Sequence, residues 1–139
     1  MDQLIIEQKI ESLRRCIQRI AEKTPPDTSY LLRDPDLQDI LVLNLTRAVQ
    51  LCVDIGSHSI SATDESAPVT MGEVFTTLEK LDFISRATSD AMRKAVGFRN
   101  VAVHNYEAIN WEIVFAICTN FLPDFQRFVA EITRAASKR

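Results

Sequence analysis

The chain has 139 residues, of which 46% are hydrophobic and 25% charged, with three glycines and five prolines. That length fits one domain, residues 1–139, with a real core, and so few turn-formers argue against an all-β fold and for long helices. A net charge of −3 excludes a generic nucleic-acid coat.

Residues 3–23 carry the clearest helical pattern. Ile6, Ile10, Leu13, Ile17 and Ile20 recur at spacings of four and three, charges fill the other face, and Asp2 is the candidate N-cap. Thr24-Pro25-Pro26 ends this helix, and Asp27 to Arg33 reads as a loop. Asp34-Pro35 then opens a second helix, with Asp34 as cap and Pro35 in the first turn. From Leu37 to Ile55 it is apolar on nearly every face, which predicts a central position. A polar seam of Asn44, Arg47, Asp54 and His58 falls within one ~80° sector of it. Either Arg47 and Asp54 form an internal network or the seam meets another surface, because unpaired buried polar groups are costly. Gly56 is a candidate helix end, and residues 56–68 read as an exposed loop.

Thr70 and Glu73 form a capping box for a third helix, with Val69 and Val74 as its hydrophobic staple. Its apolar face is Met71, Val74, Phe75, Leu78 and Leu81. Ser85 caps a fourth helix, read from Arg86 to about Arg99, with Ala91, Met92, Ala95 and Phe98 facing inward. Asn110 caps a fifth, from Trp111 towards Ala136, which Pro123 should kink or break. The prediction is an all-α, five-helix up-and-down bundle.

The three cysteines, Cys16, Cys52 and Cys118, form no C-x-x-C pair and read as reduced core residues. No carboxylate–histidine cluster suggests a metal, and no glycine-rich loop suggests a nucleotide cradle. No uninterrupted apolar run reaches the ~18 residues of a membrane span. The expectation is a cytoplasmic protein with no membrane partner and no cofactor.

The charge is uneven along the chain. Residues 1–81 hold eight Lys/Arg against thirteen Asp/Glu, whereas residues 82–139 hold eight against six. Arg86, Arg93, Lys94 and Arg99 precede His104 with only Asp90 between them, so a local positive patch is expected. Within "GFRNVAVHNYEAINW", residues 97–111, stand Arg99, His104 and Tyr106, each able to touch a phosphate. On a straight helix Arg99 and His104 lie ~140° apart. Either the helix ends near Asn100 and His104 swings back, or each residue completes a site with its counterpart from a second subunit. The bland alternative is a polar helix end, where Arg and His complement the dipole.

The residue types suit metal-free RNA cleavage. The 2′-hydroxyl attacks the adjacent phosphate and needs a base near neutral pH, which a histidine such as His104 supplies. The phosphorane gathers negative charge that a planar guanidinium can bind through two donors, and Arg99 is placed for it. A second His104 from a symmetry mate is the economical source of the acid.

"GFRNVAVHNY" followed by "INWEIV" resembles HepT proteins, the toxin half of the minimal nucleotidyltransferase/HEPN toxin–antitoxin pairs. Arg99 to His104 matches the R-x4-H form of the HEPN motif, and Asn105 and Tyr106 complete R-x4-H-x-Y. The resemblance implies a HEPN-type homodimer with a composite site, in a type VII-like toxin–antitoxin pair. It implies a metal-independent ribonuclease acting on RNA, with Arg99 and His104 as the active pair. It also implies a cognate nucleotidyltransferase antitoxin that transfers AMP to Tyr106. Asn100, Arg47 and Asp54 are the candidate supporting residues. The competing class of function is a non-catalytic helical accessory subunit of a nucleotidyltransferase.

Overall fold

A computed structural model describes residues 3–138. The Asp2 cap falls outside the described residues. The helices are α1 (Gln3–Lys23), α2 (Thr28–Arg33), α3 (Pro35–Ser61), α4 (Met71–Lys80), α5 (Arg86–His104), α6 (Trp111–Ala116) and α7 (Leu122–Ser137). Among the described residues there is no strand. A 3-10 turn, Tyr106–Ala108, joins α5 to α6, and a π turn, Ile117–Phe121, fuses α6 to α7. With α6, the π turn and α7 counted as one rod, and the six-residue α2 as an addition to the connection between α1 and α3, the five-helix bundle expected from the sequence is the architecture.

The centre is α3. It packs along α1 and meets α4, α5 and α7 on its other sides. Its buried residues include Leu41, Leu45, Ala48, Cys52 and Ile55, and the apolar face read on α1 is buried at all five positions. Phe75 of α4 and Phe128 of α7 close the far side of the core edge-to-face, with centroids 5.7 Å apart. By length and composition alone α3 could cross a membrane, but more than half of its apolar window is buried inside the bundle. Its apolar surface is consumed by the core, which is how a central helix of a bundle differs from a lipid-facing one.

Several boundaries differ from the sequence reading, each for a local reason. The expected loop at 27–33 contains α2, because the Asp27 carboxylate accepts from the Ser29 N–H at 2.9 Å and Leu31 is fully buried. Helix α3 runs past Gly56 to Ser61. Gly56 is there for close approach, since a Cβ would stand 2.6 Å from Val74 Cγ1 and 2.9 Å from Leu78 Cδ1. The expected staple at α4 is not formed: Val69 is 89% exposed while Val74 is buried. The Glu73 carboxylate accepts from the Val69 N–H at 2.9 Å instead, and Thr70 Oγ1 accepts from the Glu73 N–H at 3.2 Å. Met71 and Leu81 are only half-buried.

The core face of α5 is Thr88, Ser89, Met92, Val96 and Ala102. Ala91, Ala95 and Phe98 are half-buried and line an apolar groove of about 430 Å³ beside Ile113, Ile117 and Phe121. The rotation is fixed by a polar lock at the start of α5. Glu131 of α7 accepts from the Ser85 N–H and, at 2.6 Å, from the Thr88 hydroxyl, which also accepts from Arg127 Nε at 2.8 Å. Sequence periodicity does not show such a lock, because its partners are some forty residues apart. The break expected at Pro123 is present as the π turn just before it, with the Thr119 hydroxyl bonded to the Phe115 carbonyl at 2.8 Å.

Candidate active site

Helix α5 does not end near Asn100. It continues unbroken to His104, and the Asn105 N–H closes the last turn onto the Val101 carbonyl at 2.8 Å. Buried Ala102 holds this last turn to the bundle. Asn105 leaves the helix, Tyr106 to Ala108 make the 3-10 turn, and buried Ile109 pins the junction. Asn110 restarts the helix, its side chain accepting from the Glu112 and Ile113 N–H groups at 2.9 and 3.3 Å. The motif therefore sits on the last turn of one helix and the first turn of the connector.

The first of the two ways to unite Arg99 and His104 is thereby removed. On a continuous helix five residues rotate by about 140° and rise by about 7.5 Å. Arg99 is half-buried on the bundle side, while His104 is exposed. Arg99 Nη1 donates to Asn100 Oδ1 at 3.4 Å and reaches no carboxylate among the described residues. The His104 ring has no hydrogen bond or ion pair among the described residues. Arg99 thus keeps all but one of its donor groups free of side-chain partners, and the His104 ring is free, among the described residues. The expected positive patch is present in reduced form: Arg93 pairs with Asp90 one turn away, leaving Arg86, Lys94 and Arg99 without ion pairs among the described residues.

Tyr106 is tied down. Its hydroxyl donates to Asp39 Oδ1 on α3 at 2.6 Å, and its ring meets Trp111 edge-to-face at 5.9 Å. Desolvation, then the Asp39 carboxylate, push the phenol up to about 12, so it is un-ionised at neutral pH. Trp111 is half-buried against the core and acts as the wall behind the tyrosine. Asp39 was not singled out from sequence. It lies 67 residues from Tyr106, and its only local signal is an acidic start to α3.

The polar seam on α3 faces α1, not α5. Asn44, Arg47 and Asp54 line a groove of about 780 Å³ with Ser12, Arg15 and Arg19, and α5 contributes no side chain to it. The internal Arg47–Asp54 network is not formed. Asp54 pairs with Lys9 at 3.5 Å and accepts from Gln50 at 3.0 Å, Asn44 donates to the Ile40 carbonyl at 2.8 Å, and Arg47 is exposed without an ion pair among the described residues. His58 is half-buried on the last turn of α3. Burial raises all three cysteine thiols, so none is a poised nucleophile. Among the described residues no three His, Cys, Asp or Glu side chains cluster closely enough to hold a metal ion.

Residues 6–132 match the family model described as ribonuclease HepT-like. The chain is 37% identical over 125 residues to the mRNA nuclease HepT of Shewanella oneidensis, covering 90% of this chain and 93% of the relative. The fold superposes with a TM-score of 0.89 on a tri-AMPylated Shewanella oneidensis HEPN toxin in complex with its MNT antitoxin, at 36% identity over 96% of this chain and 99% of that one. A toxin–antitoxin structure with AMP-PNP gives a TM-score of 0.88 at 35% identity, over 94% of this chain and 98% of the other.

Proposed function

The chain belongs to the HepT-like ribonuclease family, and on that footing we propose that it is the toxin of a type VII-like toxin–antitoxin pair. In this reading residues 1–139 are a single HEPN domain that cuts RNA without a metal ion. A cognate minimal nucleotidyltransferase silences it by transferring AMP to Tyr106. The observation that carries the proposal is the end of α5, where Arg99 is free of carboxylates and His104 stands unpartnered two residues before an anchored tyrosine.

His104 is the proton carrier and Arg99 the anion binder. Removing a proton from the 2′-hydroxyl while binding the phosphorane oxygens is the work the reaction needs, and acid–base assistance of this kind gives about 10²–10⁴-fold. Asn100 supports the site by holding the Arg99 guanidinium. Arg47 lies in the α1–α3 groove, away from α5, and with Arg15 and Arg19 offers a path for RNA phosphates there, while Asp54 is committed to Lys9 and Gln50.

The rotation between Arg99 and His104 favours a site completed by a second copy. So does the outer face of α5, where Lys94, Gly97, Val101 and His104 form one exposed stripe at helical spacing. A glycine in mid-helix costs roughly 0.5–1 kcal/mol relative to alanine. A Cβ on Gly97 would meet nothing within 4 Å in its own chain, so packing within this bundle does not demand it. Close approach of another helix backbone would account for it. A homodimer is therefore expected, with an interface above about 2,000 Å² in total if obligate. Sedimentation at micromolar concentration should give twice the chain mass, and a monomer would sink the composite site.

The accessory-subunit reading is separated by a single phenotype. Expression of the chain alone in the cytoplasm should arrest growth, and His104→Ala should relieve the arrest. An accessory subunit gives no arrest to relieve.

A further inference from the structure

We propose that Asp39 is the proton acceptor when the nucleotide is transferred to Tyr106, so that the modified chain supplies the base for its own modification. The inference rests on the reading of Tyr106 as the AMP acceptor.

The phenol already donates a hydrogen bond to the carboxylate at 2.6 Å, within the reach required of a general base. Both side chains are exposed, Tyr106 by 40%, so an incoming triphosphate can reach the phenolic oxygen from the solvent side. Asp39 has no Lys or Arg partner within ion-pair distance among the described residues. Its place is rigid. It lies in the second turn of α3, whose start is fixed by Asp34 Oδ1 accepting from the Leu37 N–H at 3.1 Å and by Pro35 in the first turn. On the other side Trp111 holds the ring. The phenol is protonated at neutral pH, so it must lose its proton as it attacks.

The step balances with a nucleoside triphosphate as co-reactant. Tyr106 Oη attacks the α-phosphorus of ATP and forms the new P–O bond. The bond from that phosphorus to the bridging oxygen of the β-phosphate breaks, and pyrophosphate leaves with the electron pair. The phenolic proton passes to Asp39 Oδ1 and from there to water. The product then loses its place on α3. The esterified oxygen has no proton to donate, and the phosphodiester sets a negative charge beside the carboxylate. Like charges so close repel, which turns the adduct away from Asp39.

The test is the initial rate of AMP addition, read by intact mass with the nucleotidyltransferase, ATP and Mg²⁺, with peptide mapping of the modified residue. Asp39→Asn keeps an oxygen that accepts the tyrosine hydrogen bond but cannot take the proton. Its rate should fall at least ~100-fold, with the KM for ATP unchanged. Asp39→Glu should recover part of the loss. Asp36→Asn, a neighbouring exposed carboxylate on the same helix, should stay within about twofold and controls for local charge. If AMP maps to Tyr106 and Asp39→Asn is as fast as wild type, Asp39 only positions the ring and the proposal fails while the acceptor assignment stands. If wild-type AMP maps to another residue, both fail.

Discussion

Alanine at His104 is expected to lower RNA cleavage by the purified protein at least ~100-fold, and alanine at Arg99 by a similar factor. The two losses have different causes. Without His104 the motif has no imidazole left to accept the 2′-hydroxyl proton or, from the second copy, to protonate the leaving oxygen. Without Arg99 the phosphorane loses its two-point cationic contact, and an oriented charge of this kind is typically worth a factor of about 10²–10³. Neither change should harm the fold. His104 is exposed and bonds to nothing among the described residues, and Arg99 makes one long hydrogen bond to its neighbour Asn100. The stability cost at each should stay within about 0.5 kcal/mol, since no named destabilising mechanism applies. Melting temperature and cleavage rate measured on one preparation separate the two effects. Cleavage by His104→Ala at the wild-type rate, with parallel purification to exclude a contaminant, would refute the assignment.

Tyr106→Phe should keep most of the nuclease activity and lose the covalent off switch. The ring still meets Trp111, and only the exposed bond to Asp39 is lost, a change of about 1 kcal/mol or less. In the wild type two effects act at the phenolic oxygen once AMP is joined to it. The phosphodiester brings a negative charge that competes with the RNA phosphate for the Arg99 guanidinium, as a regulatory phosphate does. The adenosine fills space beside the motif where RNA must lie. Repulsion from Asp39 works in the same direction, because the adduct cannot remain against α3. After incubation with the partner enzyme, ATP and Mg²⁺, the wild-type chain should gain mass in AMP units, and Tyr106→Phe should gain none. Equal gains would move the switch elsewhere, with Tyr30 next to examine. That residue is 50% exposed and lies under the Arg33 guanidinium at 5.5 Å.

The parts legible in the sequence are those decided by short-range chemistry. The face of α1 was readable because a single stripe at helical period is buried. The starts of α3, α4, α5 and α6 were readable because Asp34, Thr70, Ser85 and Asn110 each accept a backbone N–H. The motif stood out because three phosphate-binding residue types fall within eight positions. What escaped depends on distant partners. Gly56 reads as a helix end until Val74 and Leu78 are seen against it. Six residues of α2 carry too short a pattern to register, with Leu31 their one buried anchor. The inward face of α5 is rotated by the Glu131 lock, and Asp39 has no link to Tyr106 short of the folded chain. The polar seam is legible as a seam, but of its two readings the internal Arg47–Asp54 network is not formed, because Lys9 and Gln50 take Asp54.

Cleavage of RNA by the end of α5 is expected to go through the 2′-hydroxyl without a metal. It is tested most directly by incubating the purified chain with single-stranded RNA in excess EDTA and identifying the product ends. The expected result is undiminished cleavage that leaves 2′,3′-cyclic phosphates, and no cut at a site carrying a single 2′-deoxy substitution. Loss of cleavage in EDTA with recovery on adding Mg²⁺, or products with 5′-phosphate ends, would contradict it.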